Sequence, residues 1–416
     1  MECQRPWIAH PLAIYCVPWL LIAPLYMLEW SSVLIYKADL AAYIAVVWVI
    51  TPLVLSWLYW ELMASRAVGA APAPPPDFDR LLLFARWLLL IWFLASCLEV
   101  LASHGVPLLW LIRHDQKVAQ DFGIPSIHGL VNSLLLASTT IYVMAGVMLR
   151  KPAYYLVLLM TLVWAIIAVS RELLMVALVQ TVMIFLQHRK LKIMRFVFWG
   201  AVLALAVLLL FGAVGDFRSP AFVKRTAGIT KAYPDWLPTG VIWVYMYVTT
   251  PLNNLIHTVQ NSVPIYDWSF PNTLQELFPT VIRFTIFPYL DKWTGSGGNL
   301  VTRAFNVSSA YVGPAQDFGL VGTYLFAWLT MGTLVYFWKR RDLLGSFGYT
   351  LFGQCAFFSI FFNHFFYLPV VFQLIWFLLA VEIATPKARE TPPKESAMSP
   401  IVAASAGLYD SPGALP

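Results

Sequence analysis

The chain reads as a succession of apolar runs separated by short polar links. The runs fall at about residues 11–29, 39–62, 81–101, 129–149, 154–169, 173–186, 194–214, 318–338, 346–363 and 366–383. Most approach the roughly 20 residues that an α-helix needs to cross a hydrocarbon layer about 30 Å thick. Helices are expected there, because a segment in lipid must satisfy its own backbone hydrogen bonds. The stretch 154–186 is too long for one crossing and long enough for two short ones. Its middle reads "WAIIAVSRELLMVAL" (164–178), so the pattern predicts a tight hairpin with Ser170, Arg171 and Glu172 at the tip.

Between the seventh and eighth runs lies a segment of about a hundred residues, 215–317, that is neither a span nor a polar linker. It carries "WLPTGVIWVYMYVTTPLNNLIHTV" and "TLQELFPTVIRFTIFPYL", which read as helices lying in the membrane interface or dipping partway into it. A broken, re-entrant span over 236–260 is the alternative for the first of these. "AVGAAPAPPPDFD" (67–79) is a Pro/Ala linker, and 384–416 reads as a disordered cytoplasmic tail. The expectation is an all-α polytopic membrane protein: one domain over 1–383 with about ten transmembrane helices and a large helical periplasmic loop, 215–317, in a GT-C-like arrangement.

Composition agrees with this reading. At 60% hydrophobic and only 12% charged residues, with a mean hydropathy of +0.71, the chain has too little polar surface to cover a soluble globule of 416 residues. The four cysteines, Cys3, Cys16, Cys97 and Cys355, are scattered and show no ligand spacing, so they read as small core residues. Met1–Trp30 reads as the first span and not as a cleavable leader.

Charge orients the spans. Arg66, Arg80, Arg86, Arg150, Lys151, Lys339, Arg340, Arg341 and the basic cluster 189–195 all fall on one side, whereas the short loops of the other side hold only Lys37, Arg113, Lys117 and Arg171. The bias places both termini in the cytoplasm. Arg171 and Arg218, the latter in "GDFRSP" just after the seventh run, then share the outer face.

Arginine suits phosphate, because its planar fork donates two parallel charge-assisted hydrogen bonds. An outer-face cluster of Arg171, Arg218, Arg283 and Arg303 fits a lipid-linked pyrophosphate. No DxD pair or HExxH motif accompanies it, so no metal or other cofactor is expected, and the composition offers no nucleic-acid site. Each arginine also has a plainer reading, as a headgroup anchor or as an ion pair of Arg171 with Glu172 or of Arg218 with Asp216. Glu99, near the outer end of the third run, is an expensive carboxylate at that depth and reads as a general base or as a partner of Arg171. His257 and His364 are further candidate bases, or satisfied helix-face residues. Loop aromatics such as Tyr245, Tyr247, Tyr266, Trp268 and Tyr311 suit stacking on sugar rings, although interfacial belts are rich in Trp and Tyr in any case.

"SRELLMVALV" from Ser170, "FGAVGDFRSP" (211–220) and "NVSSAYVGPAQDFGLVGTYLFAWLTMG" (306–332) resemble the Wzy-type O-antigen polymerases, which join oligosaccharide repeat units. The likeness covers roughly the second half of the chain. It implies an enzyme of the bacterial inner membrane whose substrate is an undecaprenyl pyrophosphate-linked glycan, with a chain-length regulator, a flippase and membrane lipids as partners. The growing glycan would pass to a new repeat unit with release of undecaprenyl pyrophosphate. Functional arginines of that family map to Arg171 and Arg218. With Arg303 they would stabilise the leaving diphosphate, while Asn306 and Ser308 would orient the acceptor sugar. The base stays open among Glu99, Asp317, His257 and His364; Asp317 reads equally as the N-cap of the eighth span. An O-antigen ligase transferring to lipid A core, and a flippase for lipid-linked oligosaccharides, are the competing readings.

Overall fold

A computed structural model of the protein describes residues 6–65, 75–189, 225–287 and 307–385 apart from isolated positions within them, together with residues 300–301 and scattered positions between 198 and 209. Most of the seventh apolar run, the tail beyond residue 385, most of the Pro/Ala linker, and Arg218, Arg303 and Asn306 lie outside the described residues. What is described is helical; the only β contact among these residues is an isolated bridge between Ser31 and Ile229.

In chain order the helices are α1 (Pro11–Tyr26), α2 (Ala38–Ala64, with a π-helical stretch Ile44–Ile50), α3 (Phe78–Ser103), α4 (Pro107–Arg113), α5 (Ile127–Leu149), α6 (Leu156–Ile167) and α7 (Arg171–His188). After them come α8 (Thr239–Asn261), the short α9 (Pro271–Leu274) and α10 (Thr280–Ile286), then α11 (Val312–Lys339), α12 (Leu343–Phe358) and α13 (Leu368–Ala384). Among the described residues five helices, α2, α3, α5, α7 and α11, are long and apolar enough to cross a membrane, and α1, α12 and α13 are shorter apolar helices. Along α3, Leu83, Trp87, Leu90, Phe93, Leu94 and Leu98 are all exposed. A stripe of that size would be untenable in water and is the expected face toward lipid.

The centre is α5, whose apolar window is 89% buried. It packs on α3, α6, α7 and α13, while α11 packs on α2, α8, α9 and α12, and α12 joins the two groups through α7 and α13. Polar side chains fix their register inside the bundle. Thr140 of α5 donates to Gln180 of α7 (2.7 Å), and Gln180 and Gln373 of α13 bond each other through their amides (3.1 and 2.9 Å). All three are buried. In a hydrocarbon surrounding, such bonds are satisfied only when the helices sit at one rotation and one height.

Two elements are drawn more finely than the sequence pattern allows. Residues 239–261, expected as an interfacial helix or a broken span, form one helix that continues through Pro251 and buries Tyr245, Met246, Asn253 and Ile256 against α1 and α11. Its polar stripe Thr249–Asn253–Asn254–Thr258 is also buried, which is why its hydropathy falls below that of a span. In α11, Phe318 (φ −140°, ψ 22°) and Gly319 (φ 58°, ψ −137°) interrupt the helix about two turns from its start. The backbone at Gly319 lies where a side chain is strained, so glycine permits the break.

The break sets the role of Asp317. It does not cap its own helix. Its carboxylate, fully buried, accepts from the backbone N–H of Asn272 (3.0 Å) and Thr273 (2.9 Å), from the Asn272 amide (2.9 Å) and from the Thr273 hydroxyl (2.6 Å). These are the orphan donors of α9, so Asp317 caps a loop helix from across the fold.

Candidate functional site

The connections 27–37, 104–126, 168–170 and 359–367 gather at one end of the bundle with the segment 225–287. Backbone pairing of Ser32 with Gly228 (2.7 Å) and of Thr230 with Trp30 (3.1 Å), and the Asn363–Thr273 bond (3.2 Å), tie them together. The other end holds Glu61, Lys339, Arg340 and Asp342, joined as the ion pairs Glu61–Lys339 and Arg340–Asp342. Most of the ionisable groups not consumed by those pairs lie at the loop-rich end, and several converge.

The first strand of the site is a carboxylate–imidazole unit. Glu99, 1% exposed near the end of α3, lies with both oxygens 3.1 Å from Nδ1 of His128, the second residue of α5. Asn132, one turn along, places its amide nitrogen 3.1 Å from Nε2 of the same ring. With the amide donating to Nε2, Nδ1 carries the proton toward Glu99, so the carboxylate fixes both the tautomer and the orientation of the ring. Phe122 packs edge-on against the imidazole at 5.5 Å. Gly123 closes the turn at φ +92°, and a Cβ there would lie 2.6 Å from His128 Nδ1 and 3.0 Å from Glu99 Oε1. Gly123→Ala is therefore expected to lower stability by about 2 kcal/mol through backbone strain and displacement of the ring. A thermal melt in detergent measures it; an unchanged midpoint would contradict the geometry.

The second strand is the α6–α7 hairpin. It is as tight as the sequence suggests: Ser170 N–H bonds Ala165 O (2.8 Å), Val169 adopts φ 50°, and the Ser170 hydroxyl caps α7 by accepting from Leu173 N–H (3.3 Å). Arg171 opens α7 and reaches α8, donating to the Tyr247 hydroxyl (2.7 Å) with its guanidinium over that ring at 5.6 Å. Glu172 points elsewhere. The residue is exposed as a whole, and its carboxylate accepts from the Tyr367 hydroxyl just before α13 and lies close enough to His128 and Glu276 to interact with them. The charge of Glu172, then burial, pushes the Tyr367 phenol well above its usual pKa, so it stays a hydrogen-bond donor at physiological pH.

The third strand comes from the long loop. Arg283 of α10 clasps Glu276 with two bonds, 3.1 and 2.6 Å, and both side chains are about five-sixths buried, at 15% and 16% exposure. Glu276 stands one turn beyond the α9 residues that Asp317 holds, so the buried cap fixes where this pair sits.

Of the described residues singled out in the sequence, Glu99, through His128, and Arg283, through Glu276, therefore meet around Glu172, while Arg171 stands beside them at the hairpin tip and turns to Tyr247. The partner of Glu99 is His128 and not Arg171. Arg171 and Glu172 turn apart toward Tyr247 and Tyr367. His257, ten residues beyond Tyr247 on α8 and thus about 15 Å along the axis, bonds Asn261 at 2.9 Å. His364 is buried against Gln354 at 3.2 Å and packs edge-on against Tyr367 at 5.6 Å, and burial pushes its imidazole down to about 4, so it is neutral. Ser308 is 5% exposed, and Tyr311 is fully buried between Trp19 (5.6 Å) and Phe326 (5.2 Å). Tyr311 thus packs in the core, where no sugar ring could stack on it. His128, Tyr367 and Glu276 escaped the sequence reading. The only signal for His128 was its place at the outer start of the fourth run, the same evidence that singled out Glu99. Among the described residues no three of His, Cys, Asp and Glu meet at metal-binding spacing.

No protein-family model, curated protein or solved structure matches the chain. The assembled groups are a carboxylate with a phenol donating to it, an oriented imidazole, and the Arg283–Glu276 pair, with the Arg171 guanidinium beside them at the hairpin tip. They can accept a proton, hold a hydroxyl and attract an anion.

Proposed function

We propose that the chain polymerises undecaprenyl pyrophosphate-linked oligosaccharide repeat units, with the loop-rich end of the bundle facing the periplasm. In this reading it crosses the bacterial inner membrane about ten times in a GT-C-like arrangement with both termini in the cytoplasm. The observation that carries the proposal is the convergence of Glu172, His128, Glu276, Arg283 and Tyr367, from separate segments, at one end of an otherwise apolar bundle, with Arg171 beside them at the hairpin tip.

The chemistry follows from those groups. A hydroxyl of the incoming unit gives its proton to Glu172 and attacks the anomeric carbon of the growing chain, whose bond to the diphosphate oxygen breaks with inversion. Negative charge grows on the departing undecaprenyl pyrophosphate, and Arg171, with Arg218 and Arg303 in support, stabilises it more than it would in water because the site borders lipid. Tyr367 fixes the Glu172 carboxylate, and the Glu99–His128 unit places an oriented imidazole near it. Of the four candidate bases, Asp317 has both oxygens occupied by four donors, Glu99 is bound to His128, His257 bonds Asn261 on α8, and His364 is buried behind Tyr367. Glu172 is the base in this scheme.

The test is the glycan ladder of cells carrying Arg171→Ala or Arg171→Lys. The alanine variant is expected to leave single repeat units on the lipid carrier in the outer leaflet, and the lysine variant, with its charge but no fork, to give shorter ladders. Full-length ladders from Arg171→Ala would remove the proposal. Long chains stranded on the carrier would indicate a ligase, and repeat units trapped in the inner leaflet a flippase.

A further inference from the structure

We infer that residues 263–268 form an aromatic-tipped loop that inserts into the headgroup–acyl boundary of the bilayer and moors the long loop to the membrane. Val263 is 85% exposed, Tyr266 64% and Trp268 78%, an apolar prominence open on its outer side among the described residues. It is not slack chain. Ile265 and Tyr266 donate their N–H groups to the carbonyls of Gln316 and Asp317 (3.0 and 2.9 Å), which pins the loop to the break in α11. Tyr266 and Phe270 take φ 52° and 49°, two left-handed non-glycine residues bracketing the tip. Such strain persists only where surrounding contacts fix the chain. The inner faces of Trp268 and Phe270 rest on Phe318 at 4.8 Å each.

What covers the outer face follows from the surface below it. Phe318 is followed at once by the exposed Leu320, Val321 and Leu325 of α11. With Leu55, Tyr59 and Trp328 these line an apolar groove of about 530 Å³ between α2 and α11. That surface belongs to two of the helices long and apolar enough to span, so hydrocarbon is its natural solvent. The loop tip is the upward continuation of the same face, and Trp and Tyr with one wet end are the side chains favoured at that depth. Asp267 sits within the tip, its carboxylate accepting from Ser269 N–H (2.9 Å), which matches a boundary position and not the hydrocarbon centre. Sugar stacking, the other use of exposed aromatics, would require the tip to overhang the Glu172 site; its contacts run instead to the break in α11.

The experiment places a photoreactive benzophenone amino acid at position 268, and separately at 263 so that one poorly folding variant leaves the test standing. The full chain is irradiated in native membranes and the adducts are weighed. Phospholipid adducts at both positions are expected, with loss of those adducts when the protein is moved into detergent. Adducts to a protein or to a glycan would overturn the inference, as would the absence of any adduct in protein that keeps its melting transition. Because the readout is lipid contact, a failure of the polymerase reading leaves it unaffected.

Discussion

Glu172→Gln is expected to slow chain extension by about 10²- to 10³-fold, the usual worth of a positioned general base, while leaving the melting temperature near that of the parent. The two parts separate because of how Glu172 is held. An amide keeps the size of the carboxylate and can still accept from Tyr367, so packing at the start of α13 survives. It cannot take a proton. The Ser170 cap and the Arg171–Tyr247 bond, which hold the hairpin, do not involve Glu172. Glu172→Asp keeps the base but draws it back by one methylene, and is expected to recover part of the rate. The measurement is single-turnover elongation of a lipid-linked repeat unit by purified protein. A Glu172→Gln enzyme as fast as the parent would take the base away from this position. A slow enzyme with a collapsed melt would point to structure and not to proton transfer.

How much of this was legible from the residues alone depends on the kind of force involved. The helices were, because a bilayer imposes one backbone solution on any long apolar run, and α3, α5, α11 and the α6–α7 hairpin fall close to where the pattern put them. The hairpin could be located to the residue because Arg171 and Glu172 are the only charged residues in that stretch. Partner choice was not legible. Nothing local says that Glu99 will meet His128, 29 positions away, instead of the arginine of a neighbouring hairpin, since that depends on which helix faces α3. The same holds for Asp317. Its place before a glycine at the start of a span looked like an ordinary N-cap, and only the break at Gly319 swings the carboxylate toward α9. Tyr311 shows the opposite error: aromatic composition suggests stacking, yet burial is decided by the neighbours Trp19 and Phe326, which come from both ends of the chain.

The largest structural effect is expected at Asp317. Four donors of α9 converge on a carboxylate with no exposure, so Asp317→Ala strands two backbone N–H groups, an amide and a hydroxyl in a site that water does not reach. Each unsatisfied buried group costs about 1 to 3 kcal/mol, and relaxation of so short a helix recovers part of it, which gives a loss of about 4 kcal/mol. Asp317→Asn is expected to recover only part of that loss, because one of its two terminal atoms would present N–H to a donor. The damage should also spread in a defined direction. With α9 released, Glu276 and Arg283 lose their fixed place beside Glu172, while the Glu99–His128 unit, built on α3 and α5, stays assembled. Thermal melts give the first effect, and elongation by the folded fraction at low temperature gives the second. If Asp317→Ala melted like the parent, the buried cap would carry none of the weight assigned to it. If it melted early yet elongated normally when folded, the Glu276–Arg283 pair would have no part in the site.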